Sequence, residues 1–342
     1  MDSKQQKTVW LLGLLLILVT FMSLGLGAFY IPPIDILEII GYKLGLVNLD
    51  HEVLAQDVLL QIRLPRVIMG ILVGAGLGVS GAAIQGVFRN PLADPGLLGM
   101  SSGASLFAVF VIALETFLAN QLNEIVGDYL LAIAAFTGAA LTAWLVFQLS
   151  KKNGQAQVKT MLLAGIAINA FAGALTGLLT YMSSEQQLRT ITFWMLGGLG
   201  SATWDNVLII FPFMLMPIVI LPFFGKSLNL FSLGEYQANM LGVQIDSLKR
   251  LVILLSTLAV GSSVAFCGII GFVGLIVPHM IRLIAGADNR YVLWGSVFFG
   301  ALVLTLSDVI SRVIIAPIEL PLGVITALLG TPVFLYILLK EK

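Results

Sequence analysis

A Gly-Lys-Ser tripeptide at positions 225–227 is the nearest approach in this sequence to a nucleotide-binding motif. A phosphate-binding loop also needs a glycine five positions before the first of these residues, so that backbone N–H groups can turn toward the phosphates. That position is occupied by Ile220, and Phe223 and Phe224 fill the intervening loop. We interpret the tripeptide as the end of an apolar span, and we expect this chain not to hydrolyse ATP by itself.

Side chains that could build a metal or acid–base centre are scattered along the chain. The two histidines, His51 and His279, lie far apart, and the single cysteine, Cys267, lies within an apolar run. No carboxylates are adjacent, as a membrane enzyme acting on lipid phosphates would require. We therefore predict no catalytic site, no metal site and no cofactor bound by this chain, and we interpret His279 as a structural imidazole.

Asp308 is the clearest ionisable residue deep inside an apolar run. Transporters driven by protons or sodium usually place several such groups near the middle of the membrane. We expect Asp308 to be paired or to face a polar helix interior. The scarcity of similar residues favours an external source of energy.

Three arginines could bind carboxylates on a partner. Arg63 and Arg66 form an Arg-Leu-Pro-Arg sequence before one apolar run, and Arg312 follows another. Each guanidinium offers a planar fork that suits a carboxylate, although a single interfacial arginine more often extends its charged end toward water. The topology derived below places all three on the outer side, which favours a docking site for an acidic partner.

Composition indicates which elements must position these residues. Hydrophobic residues make up 58% of the 342 positions and charged residues 11%, which is typical of an all-α integral membrane protein. Apolar runs near the length needed to cross a bilayer lie near 8–30, 64–88, 96–118, 129–149, 160–182, 207–224, 251–281, 292–311 and 321–339. We interpret the first run as a retained span rather than a signal peptide. The absence of a fixed-period repeat or a linker predicts a single domain over 1–342.

The run from Leu251 to Ile281 holds 31 residues without an acidic or basic side chain. Wholly helical, it would extend roughly 46 Å, too long for one crossing and short for two. Basic residues flank both ends, and such residues stay cytoplasmic, so two crossings are predicted and the total reaches ten. Gly261, Gly268, Gly271, Gly274 and Pro278 are predicted to break the run. We expect a short or broken helix near Gly268 to Pro278, with the turn covered by protein.

This topology places thirteen of the 18 basic residues on the cytoplasmic side and five outside, with both termini cytoplasmic. A stripe of small residues, Gly70, Gly74, Gly78 and Gly81, predicts close helix packing rather than contact with a substrate.

The cytoplasmic segment at about 226–250 predicts a short amphipathic helix interrupted by glycines. Such a helix suits docking into a groove of a soluble partner, or it could lie flat on the membrane. Its apolar residues are Leu228, Leu230, Phe231, Leu233, Ala238, Leu241 and Val243, which are interleaved with Ser232, Glu235, Gln237 and Asn239 and interrupted by Gly234 and Gly242.

The order and spacing of six segments resemble the FecCD/BtuC-type permeases, which import iron siderophores, haem or cobalamin together with an ATPase and a soluble binding protein. The resemblance extends from the first span to the C-terminus. These segments are Arg63 to Arg66, Phe88 to Gly103 (FRNPLADPGLLGMSSG), Leu163 to Gly165, Phe193 to Met195, Gly271 to His279 (GFVGLIVPH), and Glu319 to Gly330 (ELPLGVITALLG).

The resemblance implies a type II ABC importer permease fold: a homodimer of ten-helix subunits in the bacterial cytoplasmic (inner) membrane, with the path on the two-fold axis. Two ATPase subunits, which use ATP and Mg²⁺, and one soluble substrate-binding protein would complete the importer. No nucleic acid partner is implied.

Individual positions match family roles. Arg63, Arg66 and Arg312 match positions that receive glutamates of the binding protein, and Asn90 and Leu92 match a cytoplasmic gate. Leu228 to Gly242 matches the ATPase-coupling helices, and 160–182 with Leu322 to Leu339 match helices that line the path. Val158-Lys159, at a second gate loop, departs from the small hydroxyl residues of some members. The chelate stays open among haem, a siderophore and cobalamin, and the alternative function is an ATP-independent secondary transporter or channel.

Overall fold

The computed structural model of the protein describes residues 1–43, 45, 53–114, 124–152 and 154–340. Within them, fifteen α-helices and one two-stranded hairpin follow one another along the chain. The helices are α1 (Ser3–Gly25), α2 (Pro33–Lys43), α3 (Val53–Asp57), α4 (Leu64–Phe88), α5 (Met100–Ala113), α6 (Glu124–Leu149), α7 (Val158–Tyr181), α8 (Glu185–Leu196), α9 (Trp204–Ile220), α10 (Gly225–Ser232), α11 (Glu235–Met240), α12 (Ile245–Cys267), α13 (Val273–Ala285), α14 (Asn289–Val313) and α15 (Leu322–Lys340), and the strands are β1 (Lys151–Lys152) and β2 (Gln155–Ala156). His51 and the end of the predicted 96–118 span, 115–118, lie outside the described residues.

The predicted all-α membrane fold is confirmed. In the described part of the chain, seven helical stretches are long and apolar enough to cross a bilayer, and three apolar helices are shorter. The long stretches are Ser3–Gly25, Leu54–Phe88, Tyr129–Leu149, Val158–Tyr181, Trp204–Ser232, Ile245–Cys267 and Asn289–Val313, and the shorter helices are Met100–Ala113, Val273–Ala285 and Leu322–Tyr336. Together they correspond to the ten crossings predicted from the sequence.

The long apolar run breaks between α12 and α13. Gly268 has a φ of 67° and Phe272 a φ of 68°, so the chain reverses through left-handed backbone conformations. The preceding segment covers this turn, because the N–H of Gly198 donates to the carbonyl of Cys267 at 2.8 Å. With 13 residues, α13 is about 20 Å long and is shorter than the hydrocarbon core.

The prediction that Gly261, Gly274 and Pro278 also break this run was wrong, because Gly261 lies inside α12 and the other two lie inside α13. Pro278 removes one backbone donor, but the helix continues through it. At Gly274, α13 approaches the α4 backbone closely: a Cβ atom at Gly81 would lie 2.6 Å from the Gly274 Cα atom, and one at Gly274 itself would lie 3.2 Å from Pro95 Cδ. This glycine therefore serves helix packing rather than a turn.

The centre of the fold is α4, which packs against α9, α12, α13 and α14 and is buried along most of its length. The small-residue stripe allows this arrangement. A Cβ atom at Gly74 would lie 2.9 Å from the Ala301 Cα atom of α14, and one at Gly78 would lie 3.3 Å from the Gly300 Cα atom. The helix ends that carry the candidate sites are thus fixed to one rigid central helix.

Candidate functional site

Five charged residues form a cluster that joins the N-terminal end of α4 to the C-terminal end of α14. We call it the outer arginine cluster, and its members are Arg63, Arg66, Asp308, Arg312 and Glu319. At its centre lies the Asp308 carboxylate, whose side chain is only 2% exposed. Its Oδ1 atom accepts from Arg66 Nε at 2.9 Å, and its Oδ2 atom lies 3.0 Å from Arg312 Nε. One buried carboxylate therefore compensates two buried guanidinium groups.

The pair between Arg66 and Glu319 lies nearer to the surface. Arg66 Nη1 donates to both carboxylate oxygens of Glu319 at 2.9 Å, and the Glu319 side chain is 47% exposed. A cleft of about 270 Å³ begins at this carboxylate and extends past Gly197 to Gly268. The cluster is thus connected to the covered turn between α12 and α13.

The two other arginines fasten the end of α1. Arg63 Nη1 donates to the carbonyls of Leu24 and Gly25, at 2.6 and 2.8 Å. Arg312 donates to the Leu26 carbonyl at 3.0 Å and to Ser23 Oγ at 2.7 Å. Carbonyls at a helix C-terminus lack partners within the helix, so these guanidinium groups also satisfy the end of α1.

The structure brings Arg63, Arg66 and Arg312 together, as their shared side of the membrane implied. It buries them, however: their exposed fractions are 5%, 8% and 7%, and their donors bind groups of this chain. Asp308 is paired as expected. The partner role of Glu319 was missed, although Glu319 opens one of the family-like segments. Docking of a binding protein at these arginines stays a prediction.

The segment at about 226–250, predicted to be cytoplasmic, folds as two short helices rather than one. Gly234, with a φ of 125°, separates α10 from α11, and Gly242, with a φ of 85°, ends the turn after α11. No L-residue with a side chain adopts the conformation of Gly234 readily. Gly234 therefore divides the segment into two helices, and Gly242 lies just after the second helix.

The candidate coupling residues divide into two faces. Leu228, Phe231 and Ala238 are fully buried against the helix bundle, and Leu230 and Gly234 are half-buried. Ser232 and Gly242 are exposed. Four large apolar side chains that extend away from the helix bundle are 59–74% exposed, and they are Leu233, Tyr236, Met240 and Leu241. We call these four residues the apolar tip; Tyr236 and Met240 were missed because neither falls on the apolar stripe read from the sequence.

Asn229 fixes α10 to the start of α14. Its amide nitrogen donates to Asp288 Oδ1 at 2.7 Å, and its oxygen accepts from the N–H of Asn289 at 2.8 Å. Partial burial raises the pKa of Asp288, but hydrogen bonds from Arg290 and Asn229 outweigh it and hold the pKa at about 2. The carboxylate therefore stays charged at neutral pH and caps α14.

The proposed gate segment follows α4 directly. Arg89 ends α4 in a left-handed conformation, with a φ of 49°. Asn90 is exposed and Leu92 half-buried, and Asn90 Oδ1 accepts from the N–H of Leu92 at 2.9 Å. Further along, the Gly96 carbonyl accepts from Asn169 of α7 at 3.1 Å. This segment is therefore tied to a helix that resembles the path-lining helices of the family.

Comparisons with known proteins agree with this architecture. The model of the FecCD transport family matches residues 15–340. The hemin transport system permease protein HmuU of Yersinia pestis is 40% identical over 340 residues, covering 97% of this chain and 96% of the relative. The cobalamin import system permease protein BtuC of Halobacterium salinarum is 39% identical over 284 residues, covering 83% of this chain and 74% of the relative.

A solved structure shows the same fold. It is described as a metal-chelate type ABC transporter in an inward-facing conformation, and it superposes with a TM-score of 0.81 at 31% identity. The match covers 98% of this chain and 99% of that one.

Proposed function

The chain belongs to the FecCD transport family, and from this premise we propose that it is the permease subunit of an ATP-driven importer for a metal chelate or cobalamin. Single-domain subunits would form a homodimer in the bacterial inner membrane with both termini in the cytoplasm. A soluble binding protein would deliver the cargo, and two ATPase subunits would hydrolyse ATP with Mg²⁺.

The apolar tip is the observation that carries this proposal. Its four large apolar side chains lie in α11 or directly after α10 and α11, and an exposed apolar patch of this kind marks an interaction site. They occupy the segment that resembles ATPase-coupling helices, and Ser232 and Glu235 lie beside them in sequence. The tip suits a groove in a soluble ATPase, where its burial would supply the affinity. Closure of two attached ATPases would then move α10 and α11 as a unit.

The nature of the cargo follows from the helices that resemble path-lining elements. Most of α7 is not buried within the subunit, and a Cβ atom at Gly173 or Gly177 would meet no atom within 4 Å. A face of glycine, alanine and aliphatic residues suits a bulky, partly apolar chelate and offers it no metal ligands. Haem, an iron siderophore and cobalamin all fit this description, and the relatives are named for hemin and cobalamin.

The first test is reconstitution. We expect the chain alone in sealed vesicles to take up neither haem, a ferric siderophore nor cobalamin. Adding the ATPase and the binding protein should produce uptake of one of the three. This uptake should require ATP on the side of the membrane where the ATPase binds. Uptake by the chain alone would instead support a secondary transporter or a channel.

A second test concerns the binding-protein face. We propose that acidic groups of the binding protein dock at the outer arginine cluster, where they compete with Glu319 for Arg66. Because Glu319→Gln removes the competing charge and retains the side-chain shape, it should tighten docking by roughly three- to tenfold. Affinity is measured by surface plasmon resonance on the permease in nanodiscs.

Asp246→Asn provides the matched control, since it makes the same charge change in the first turn of α12 on the cytoplasmic face. It should leave docking unchanged. If Glu319→Gln weakens docking or has no effect, the outer arginine cluster is not the binding site for the acidic groups.

A further inference from the structure

A second charged cluster lies under the apolar tip, and it contains a lysine that is almost completely buried. Lys249, in the second turn of α12, is 1% exposed. Its Nζ atom donates to Glu235 Oε1 and Oε2 at 3.0 and 2.9 Å, and to the Ala156 carbonyl at 2.7 Å. An ammonium group has three donors, so every one of them has an acceptor. We call Lys249, Glu235 and the Ala156 carbonyl the cytoplasmic lysine link.

The link joins three segments that are distant in sequence. Glu235 is the first residue of α11, which carries part of the apolar tip. Ala156 ends β2, two residues before α7 begins. The Glu235 carboxylate also lies 3.9 Å from Nη2 of Arg89, at the start of the proposed gate segment. Glu235 thus lies beside the gate segment directly and is connected to the β-hairpin before α7 through Lys249.

Phe231 holds this geometry from the α10 side. Its ring is fully buried, with the Arg89 guanidinium 5.3 Å and the Lys249 ammonium 5.7 Å from the ring centroid. Both cations are within the range of a cation–π interaction. Movement of α10 or α11 therefore displaces a ring and a carboxylate that contact the same two cations.

Two contacts of the cluster differ in strength. The pair between Arg89 and Glu235 is long, and both side chains are about 40% exposed, so water and salt weaken it. The lysine link is short and charge-assisted, and its ammonium group is 1% exposed, so separating it would leave that buried ammonium without a counter-charge. Lys249 and Glu235 should therefore stay in contact when α11 moves, so that a displacement of Glu235 also displaces Lys249. The stiff connection therefore leads from α11 to the β-hairpin before α7.

On the basis of the proposed function, we infer that Lys249 and Glu235 are positioning residues that couple ATPase movement to the cytoplasmic mouth. When the apolar tip is pushed, Glu235 moves Lys249 and the Ala156 carbonyl with it, and the start of α7 follows. The gate segment at Asn90 and Leu92 responds through the weaker contact with Arg89. Loss of the link should let the ATPase work without moving the mouth.

The test uses the complete importer, with permease, ATPase and binding protein, in proteoliposomes. Lys249→Met keeps an apolar stem of similar length and removes the ammonium group. We expect ATP hydrolysis within about twofold of wild type and at least a tenfold fall in cargo taken up per ATP hydrolysed, measured with whichever of haem, ferric siderophore or cobalamin the wild type imports. Lys249→Gln, which keeps a polar side chain able to donate hydrogen bonds but removes the charge, should show the same split in smaller degree and covers the case in which Lys249→Met fails to fold.

Three controls separate the possible causes. Arg250→Met removes the next, exposed cation of α12 and should leave uptake per ATP unchanged. Tyr236→Ala, in the apolar tip, should reduce the amount of ATPase that co-purifies, whereas the two link variants should retain it. Proportional loss of hydrolysis and uptake in both link variants, or unchanged uptake per ATP, overturns the link. If the wild-type chain binds no ATPase, the proposed function fails instead.

Discussion

Asp308→Asn is expected to lower the free energy of unfolding by about 3–5 kcal/mol, because it leaves two buried guanidinium groups without their shared counter-charge. Arg66 and Arg312 both bind this carboxylate at about 3 Å, and neither side chain is more than 9% exposed. Asparagine has nearly the same shape, so the loss measures charge and hydrogen bonding rather than packing. Denaturation in mixed micelles, followed by tryptophan fluorescence, provides the measurement.

Glu319→Gln is the matched control within the same cluster. It also removes one carboxylate that binds Arg66, but its side chain is 47% exposed and water replaces the lost charge. A change of about 1 kcal/mol or less is expected. Equal losses for the two variants would mean that Asp308 is no more important to the fold than the exposed acid, and the cluster would then lack a buried centre.

The sequence was sufficient to predict the number of apolar helices, because bilayer thickness fixes their length and charges mark their ends. It also located the break after Cys267. It did not reveal that α13 continues through Gly274 and Pro278. A glycine can end a helix or allow a neighbouring backbone to approach, and the residue type alone does not distinguish these two roles. Only the position of α4 beside Gly274 distinguishes the two cases.

Pairing of charges was less predictable than helix number. Arg66 and Asp308 are separated by 242 positions. The spacing of residues along the chain does not indicate which helix ends lie next to each other in the fold. The sequence therefore suggested outward-facing arginines, whereas the fold satisfies them internally. Lys249 shows the same effect: it was counted as a cytoplasmic flank of an apolar run, yet its ammonium group is buried between α11 and the β-hairpin.

The apolar tip illustrates a different limit. In the coupling segment both faces are apolar, one toward the bundle and one away from it, so hydrophobicity cannot separate residues that support the fold from residues that meet a partner. Phe231 is fully buried and Tyr236 is 74% exposed, although both are aromatic. The left-handed turn at Gly234 sets these directions, and its angle follows from the tertiary contacts around it.

The second large effect is expected from Gly81→Ala, a change of a single methyl group at the closest approach of α4 and α13. The added Cβ atom would lie 2.6 Å from the Gly274 Cα atom and 2.5 Å from its carbonyl carbon. Backbone atoms cannot rotate away as side chains do, so the helices must separate along their contact. We expect a loss of about 3 kcal/mol or more, the upper part of the range for overpacked cores, measured by the same denaturation.

Gly173→Ala is the control, since it makes the same change within α7 where a Cβ atom would meet nothing within 4 Å. Because alanine favours helix by up to about 1 kcal/mol, this variant should be unchanged or slightly more stable. The same chemical change is therefore expected to cause a large loss of stability at Gly81 and no loss at Gly173. If Gly81→Ala is tolerated as well as Gly173→Ala, α4 and α13 are not in backbone contact, and the account of Gly274 as a packing residue must be abandoned.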